Sequence, residues 1–103
     1  MRIDLHPEAR AEIRSTVLWY EERRPGLGLE FLNVIDAIFQ RIAESPKQFP
    51  RWPGTGGETR SIRRAIAERF PYCIAFENQK SCILVLAVAH EKRRPLYWFR
   101  RRY

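Results

Sequence analysis

The amino-acid sequence predicts one α+β domain, in which a short N-terminal strand and an antiparallel two-helix hairpin pack on an antiparallel sheet in the order β-α-α-β-β-β. Three observations predict this class: a length of 103 residues, apolar residues at helical spacing before residue 45, and strand-like apolar runs beyond residue 60. The length suits one hydrophobic core and is too short for two, so residues 1–103 are expected to form a single domain.

The chain is expected to begin with a short strand and a helix. Ile3 and Leu5 alternate with polar neighbours, as in a strand, and Pro7 suits the first turn of a helix. The helix is predicted to run to about Arg24. Its apolar residues recur at helical spacing, as Ala9, Ile13, Val17 and Tyr20.

A second helix is expected after the break Pro25-Gly26-Leu27-Gly28, and it should end near Glu44. Its buried stripe is predicted to be Leu32, Ile35, Phe39 and Ile42. The short connection makes the two helices antiparallel neighbours. The following segment, 45–57, is rich in Pro and Gly and is expected to form a long surface loop.

Three strands are expected, over residues 60–67, 70–77 and 82–90. The last is a nearly unbroken apolar run, which is typical of a central strand. A turn centred on Gln79 and Lys80 would pair Ile74 with Val85, Phe76 with Ile83, and Cys73 with Leu86.

The two cysteines, Cys73 and Cys82, are expected to be buried free thiols. Both lie in apolar strand-like sequence, and the pairing above does not bring them together. The chain also lacks the accompanying Cys and His ligands of a structural zinc site. We therefore expect no metal and no cofactor.

The net charge of +7 lies entirely in the C-terminal part of the chain. Residues 1–57 carry eight basic and eight acidic side chains, whereas residues 58–103 carry eleven basic and four acidic ones. Such a patch attracts nucleic acid, a phosphate-rich assembly or an acidic protein segment. No apolar run approaches the roughly 20 residues that cross a bilayer, and no signal-peptide core follows Met1, so a cytoplasmic protein is expected.

Four fragments carry a resemblance to a known family. They are Leu5-His6-Pro7-Glu8-Ala9, Trp19-Tyr20, the segment from Arg69 to Glu77, and the segment from Ala87 to Trp98. In this order and spacing, from about residue 3 to residue 98, the sequence resembles the RelE/ParE superfamily of type II toxin-antitoxin toxins, and specifically its ParE-like or plasmid-stabilisation branch. The resemblance implies a toxin that arrests bacterial growth unless a co-expressed antitoxin wraps around it.

The two branches of this superfamily imply different targets. The RelE branch cleaves messenger RNA at the ribosome, and the ParE branch is associated with inhibition of DNA gyrase. Operator DNA would be reached only through the antitoxin, and no membrane partner is expected.

Cleavage of RNA needs a base for the 2′-hydroxyl, cations for the phosphate and a proton donor for the leaving oxygen. A nuclease built from this chain would use Arg64, His90, Glu91 and Tyr97. However, Glu91 stands where the nucleases that this chain resembles carry a basic residue past the last strand, and a carboxylate repels a scissile phosphate. We therefore favour a gyrase-binding poison without an active site over a ribosome-dependent mRNA endoribonuclease. A third alternative is a non-toxic member that only binds a partner.

The expected target-binding residues are Arg64, His90, Arg93, Arg94, Tyr97 and Trp98. The expected antitoxin-binding residues are Trp19 and Trp52. The target-binding residues have competing structural roles: His90 would fix the turn after its strand, Tyr97 and Trp98 would cap the core, and Arg64 would be paired on an apolar face. Arg93 and Arg94 would be ordinary solvated charges.

Overall fold

A computed structural model describes residues 1–55 and 60–102 of the chain. The elements are β1 (Arg2–Leu5), α1 (Pro7–Arg23), α2 (Leu27–Glu44), a 3-10 turn (Pro46–Gln48), β2 (Ile62–Ile66), β3 (Tyr72–Asn78) and β4 (Cys82–His90). The predicted order of elements is confirmed. Gly56 and Gly57, the end of the predicted loop, lie outside the described residues. Neither described helix is long and apolar enough to cross a membrane.

The four strands form one sheet in the order β1-β4-β3-β2, so β4 is central as predicted. Strands β2, β3 and β4 are antiparallel neighbours, but β1 runs parallel to β4. The sheet is therefore mixed rather than wholly antiparallel as the sequence predicted. Helix α2 ends near the start of β1, where the Met1 amine bonds to the Ala43 carbonyl, so the chain returns to that end of the sheet before the later strands.

The helices begin and approach each other through specific residues. The Nδ1 atom of His6 accepts the N–H of Glu8 at 3.1 Å and so caps α1. Gly26, with a φ of 89°, turns the chain between the helices. Gly28 lies inside α2 rather than in the break, and a Cβ atom there would lie 2.6 Å from the Val17 carbonyl oxygen. Glycine at this position therefore permits the close approach of the two helices.

The two faces of the sheet carry separate hydrophobic clusters. Helices α1 and α2 cover one face, where the cluster includes Phe31, Ile35, Ile42, Ile74, Phe76 and Val85. The other face lies under the C-terminal segment, which we define as residues 93–102, and its cluster includes Ile62, Leu84, Leu86, Ala89 and Trp98. The prediction that Leu32 belongs to the buried stripe of α2 is wrong, because this residue is 41% exposed and lies at the edge of the helix hairpin.

The predicted register between β3 and β4 is also wrong. Phe76 pairs with Val85, and Cys73 pairs with Ala89. The hairpin turn lies one residue further along than expected, and a bulge leaves Leu86 without a partner on β3. Cys82 is buried at the other end of β4, and Cys73 is only half-buried rather than buried.

Candidate functional site

A cleft of about 310 Å³ opens between the end of β4, the middle of β2 and the C-terminal segment. We call it the C-terminal cleft. It is lined by all the residues that the sequence assigned to a target, Arg64, His90, Arg93, Arg94, Tyr97 and Trp98, together with Glu91 and Trp52. The fold therefore brings together residues that lie as far apart as 52 and 98 in the chain.

Arg64 enters the cleft from β2, on the face of the sheet that the helices leave uncovered. Its guanidinium carbon lies 5.8 Å from the centre of the Trp52 ring. Its Nε atom is buried and has no hydrogen-bond partner among the described residues. Of the two alternatives for Arg64, the structure therefore shows the side chain in a cleft rather than paired on an apolar face.

His90 ends β4 and holds the turn that follows. Its Nδ1 atom accepts the N–H of Lys92 at 3.1 Å, and its carbonyl oxygen accepts the N–H of Arg93 at 3.0 Å. The ring also packs edge-on against Tyr72, with 5.1 Å between the ring centres. Because Nδ1 accepts, the proton of the neutral ring lies on Nε2. This is the structural role that the sequence offered as the alternative to target binding.

The hydroxyl of Tyr97 is committed to a carboxylate. It donates a 2.6 Å hydrogen bond to Oε2 of Glu12, and the Arg93 guanidinium carbon lies 3.9 Å from the centre of the Tyr97 ring. Burial, followed by the contact with Glu12, raises the pKa of the Tyr97 hydroxyl well above its usual value. A hydroxyl held in this way is a poor proton donor for a leaving oxygen.

Glu12 on α1 and Arg101 in the C-terminal segment together complete the free edge of β4. Strand β1 ends opposite Val85, so among residues 1–55 and 60–102 no strand lies beside the later residues of β4 on that side. Glu12 accepts the N–H of Val88 at 3.0 Å, and Arg101 donates to the Leu86 carbonyl at 3.0 Å. The two side chains also form a 3.0 Å ion pair. They therefore occupy hydrogen-bonding positions that a neighbouring strand would otherwise fill.

Arg60 holds the C-terminal segment from the other side. Its side chain is 7% exposed and forms a 3.1 Å ion pair with Glu77. It also donates to the carbonyl oxygens of Phe99 and Arg101. The segment is consequently fastened to α1 through Glu12 and to the sheet through Arg60, which fixes the wall of the C-terminal cleft.

Sequence reasoning missed both Glu12 and Arg60. Glu12 follows Ala9 by three residues and precedes Thr16 by four, and both of these are buried, so helical spacing was a usable signal for Glu12. Arg60 gave no comparable signal, since its contacts lie 17 to 41 residues away in the chain.

The tryptophans occupy three different environments. Trp98 is 1% exposed, so its ring belongs to the core beneath the cleft, where Trp52 packs edge-on at 4.9 Å. Trp52 is half-buried and lines the cleft rather than standing free. Trp19 is 51% exposed on α1, with the Arg23 guanidinium 3.6 Å from its ring centre. Only Trp19 is an exposed aromatic of the kind that the sequence predicted.

A second, larger concavity lies outside the C-terminal cleft. This helical groove has a volume of about 790 Å³ and runs between β1, α1 and α2. Its apolar lining includes Leu5, Ile13, Val17, Leu18, Leu32 and Phe39. Arg10, Arg14 and Asp36 also line it, so apolar and charged side chains share this surface. Sequence reasoning did not find it, because Leu32 was assigned to the core.

The arrangement in the C-terminal cleft favours binding over acid–base chemistry. It offers three arginines and aromatic surface, but the Tyr97 hydroxyl is already used within the protein, and the Nδ1 contact of His90 leaves only Nε2 of that ring. Glu91 is exposed and adds a negative charge to the same cleft. Across residues 1–55 and 60–102, no group of three His, Cys, Asp or Glu side chains is placed to hold a metal ion.

Comparison with known proteins places this geometry in context. Residues 3–95 match a family model described as the ParE toxin of the type II toxin-antitoxin system, parDE. A solved structure described as the chromosomal ParDE TA system from P. aeruginosa is similar in fold, with a TM-score of 0.73 at 18% identity. The similarity covers 87% of this chain and 95% of that one. No curated protein matches the sequence.

Proposed function

Because the chain belongs to the ParE toxin family of type II toxin-antitoxin systems, we propose that it inhibits DNA gyrase by binding through the C-terminal cleft, and that a cognate antitoxin neutralises it. In this proposal the toxin is a poison that binds its target, and it has no active site of its own. Growth arrest follows from occupation of gyrase rather than from turnover of a substrate.

The observation that supports the proposal is that Tyr97 and His90, the acid–base side chains of the cleft, form hydrogen bonds within the protein. Tyr97 bonds to Glu12 at 2.6 Å, and His90 Nδ1 bonds to the Lys92 N–H at 3.1 Å. A nuclease would need the Tyr97 hydroxyl free to give up a proton, and the Nδ1 contact of His90 leaves only Nε2 of that ring for proton exchange. A binding surface needs these two side chains only as shape and rigid support, which is the role these contacts suit.

The charge of the cleft also suits a protein target. Arg93 and Arg94 are exposed beside Arg64, and such a positive rim speeds encounter with an acidic partner surface. Glu91 in the same cleft opposes a run of closely spaced phosphates. An acidic patch on a protein can be spaced to avoid Glu91, whereas a nucleic acid backbone carries charge at every nucleotide.

A second candidate function, a ribosome-dependent mRNA endoribonuclease, is favoured by one observation. The four residues that such an enzyme would use, Arg64, His90, Glu91 and Tyr97, all line the same cleft. The contact of the Tyr97 hydroxyl with Glu12 and the negative charge of Glu91 weigh against this candidate.

For the antitoxin, we propose the helical groove as the main site. An apolar floor that includes Leu32 and Phe39, bordered by Arg14 and Asp36, suits an amphipathic helix of the partner. Trp19 remains a proposed antitoxin contact. It lines a hollow with Tyr72 and His90, and His90 also lines the C-terminal cleft. An antitoxin that reached from Trp19 to Trp52 would thus cover the cleft and exclude the target.

The test is supercoiling by purified gyrase in the presence of this protein. We expect inhibition that rises with toxin concentration and is reversed by the co-expressed antitoxin. Failure to inhibit gyrase, together with growth arrest on expression in bacteria, would reject gyrase as the target. Absence of growth arrest would instead favour the non-toxic alternative.

A further inference from the structure

Arg64 differs from the other half-buried or buried arginines in its contacts. Arg60 pairs with Glu77, and Arg101 pairs with Glu12. The Nε atom of Arg63 is buried without a partner, like that of Arg64, but another nitrogen of Arg63 donates to the Phe49 carbonyl at 2.6 Å, and Arg63 does not line the C-terminal cleft. Within residues 1–55 and 60–102, no carboxylate lies within ion-pair distance of Arg64, and its buried Nε is without an acceptor. Its guanidinium carbon lies 5.8 Å from the centre of the Trp52 ring.

A buried guanidinium N–H without an acceptor, on a side chain that lines a cleft, indicates a missing ligand. Buried donors in folded proteins are nearly always satisfied, and leaving a charged one unsatisfied is costly. Arginine presents its donors as a planar fork that matches two oxygens held side by side. The matching ligand is therefore an oxyanion with paired oxygens, either a carboxylate or a phosphate.

The surroundings of Arg64 favour a carboxylate on a protein. A volume of about 310 Å³ is at the small end of ligand sites and suits one inserted side chain. Trp52 and Leu96 give the cleft apolar wall against which the methylene groups of Asp or Glu can pack. Glu91 opposes the further charges that a nucleic acid backbone would bring with its bound phosphate.

We propose that Arg64 is the anchor of the C-terminal cleft and binds the carboxylate of an acidic side chain from the target protein. This inference rests on the proposed function, since it names the group on the target that the cleft recognises. Arg93 and Arg94 guide the acidic segment to the rim, and Arg64 holds its carboxylate inside.

Affinity for gyrase tests the anchor. Arg64→Gln removes the charge and the fork, and it should weaken binding at least about thirtyfold, as truncation of a desolvated charge pair does. Arg64→Lys keeps the charge but loses the paired donors, so a partial loss is expected. Lys80→Gln, in the turn at the opposite end of β4, is the charge-matched control and should bind like the wild type. Wild-type affinity in both Arg64 variants would overturn the proposal.

A titration without gyrase separates this inference from the proposed function. In ¹⁵N-labelled toxin, sodium acetate should shift the Arg64 Nε–H and Trp52 indole N–H signals more than sodium chloride does at the same ionic strength. In Arg64→Gln, acetate and chloride should shift the Trp52 signal equally. Equal shifts from acetate and chloride in the wild type would overturn the carboxylate site. A larger shift with dimethyl phosphate than with acetate, which carries the same charge, would overturn it as well. If gyrase is not bound at all but acetate shifts Arg64 as expected, only the identity of the target is wrong.

Discussion

The Tyr97 hydroxyl donates a 2.6 Å hydrogen bond to the Glu12 carboxylate and so joins the C-terminal segment to α1 across 85 residues of chain. This contact makes Tyr97 part of the scaffold of the cleft. Tyr97→Phe should lower the free energy of unfolding by about 1 to 3 kcal/mol, because a hydrogen bond to a charged group is lost. The variant should still arrest growth, since the ring keeps its place beside Arg93. Denaturant unfolding and a growth assay check both parts, and loss of toxicity at unchanged stability would contradict this role.

The same contact predicts a pH dependence at the alkaline end. Because the pKa of Tyr97 is raised in the folded protein, the unfolded chain loses this proton first, near the usual pKa of about 10. Stability from this group is complete below that pH and falls as the pH rises towards the folded pKa, by up to about 1.4 kcal/mol per unit. Tyr20 also has a raised pKa, so the quantity to measure is the difference between wild type and Tyr97→Phe. A difference that does not change above pH 10 would contradict the prediction.

Glu12 should contribute more to stability than any surface carboxylate on α1. Glu12→Ala leaves the Val88 N–H, the Tyr97 hydroxyl and Arg101 without their acceptor, and it should cost about 2 to 4 kcal/mol. Glu22→Ala on the exposed side of the same helix is the matched control and should change stability by less than about 0.5 kcal/mol. Equal effects in thermal or denaturant unfolding would show that Glu12 does not hold the C-terminal segment.

The helical groove can be tested with two leucines of α2. Leu32 is 41% exposed and lines the groove, whereas Leu29 is 60% exposed and does not. Leu32→Glu places a charge against an apolar partner helix and should weaken antitoxin binding at least about tenfold, with little effect from Leu29→Glu. Isothermal titration with the purified antitoxin measures both. Weakening by Leu29→Glu alone would assign the antitoxin to another face of the helix.

The fold was largely predictable because helical and strand periodicity are local signals. The stripe from Ala9 to Tyr20 and the apolar run of β4 are visible in a few neighbouring residues. The register of β3 on β4 was not predictable, because it depends on a bulge at Leu86 and on the position of the turn. The parallel pairing of β1 with β4 likewise depends on residues about 80 positions apart.

In the candidate site, too, local signals were predictable and contacts between distant residues were not. His90 and Tyr97 lie in the last of the four fragments, Arg64 was proposed as a cation for phosphate, and the structure places all three in one cleft. The partners that decide their roles were not found: helical spacing places Glu12 on the face of buried Ala9 and Thr16, but its contact with Tyr97 joins residues 85 positions apart. Arg101 shows the same limit, because its half-buried contacts with Glu12 and the Leu86 carbonyl also join residues far apart in the chain.

The most direct test of the central claim is a dose–response of gyrase supercoiling with wild type and His90→Ala, combined with an mRNA cleavage assay on translating ribosomes using the same preparations. If the cleft binds gyrase and performs no chemistry, both proteins will inhibit supercoiling at concentrations within about fivefold of each other, and neither will cleave message. Cleavage of ribosome-bound message by the wild type, abolished by His90→Ala in a stably folded protein and accompanied by no effect on gyrase, would contradict the claim and establish the nuclease in its place.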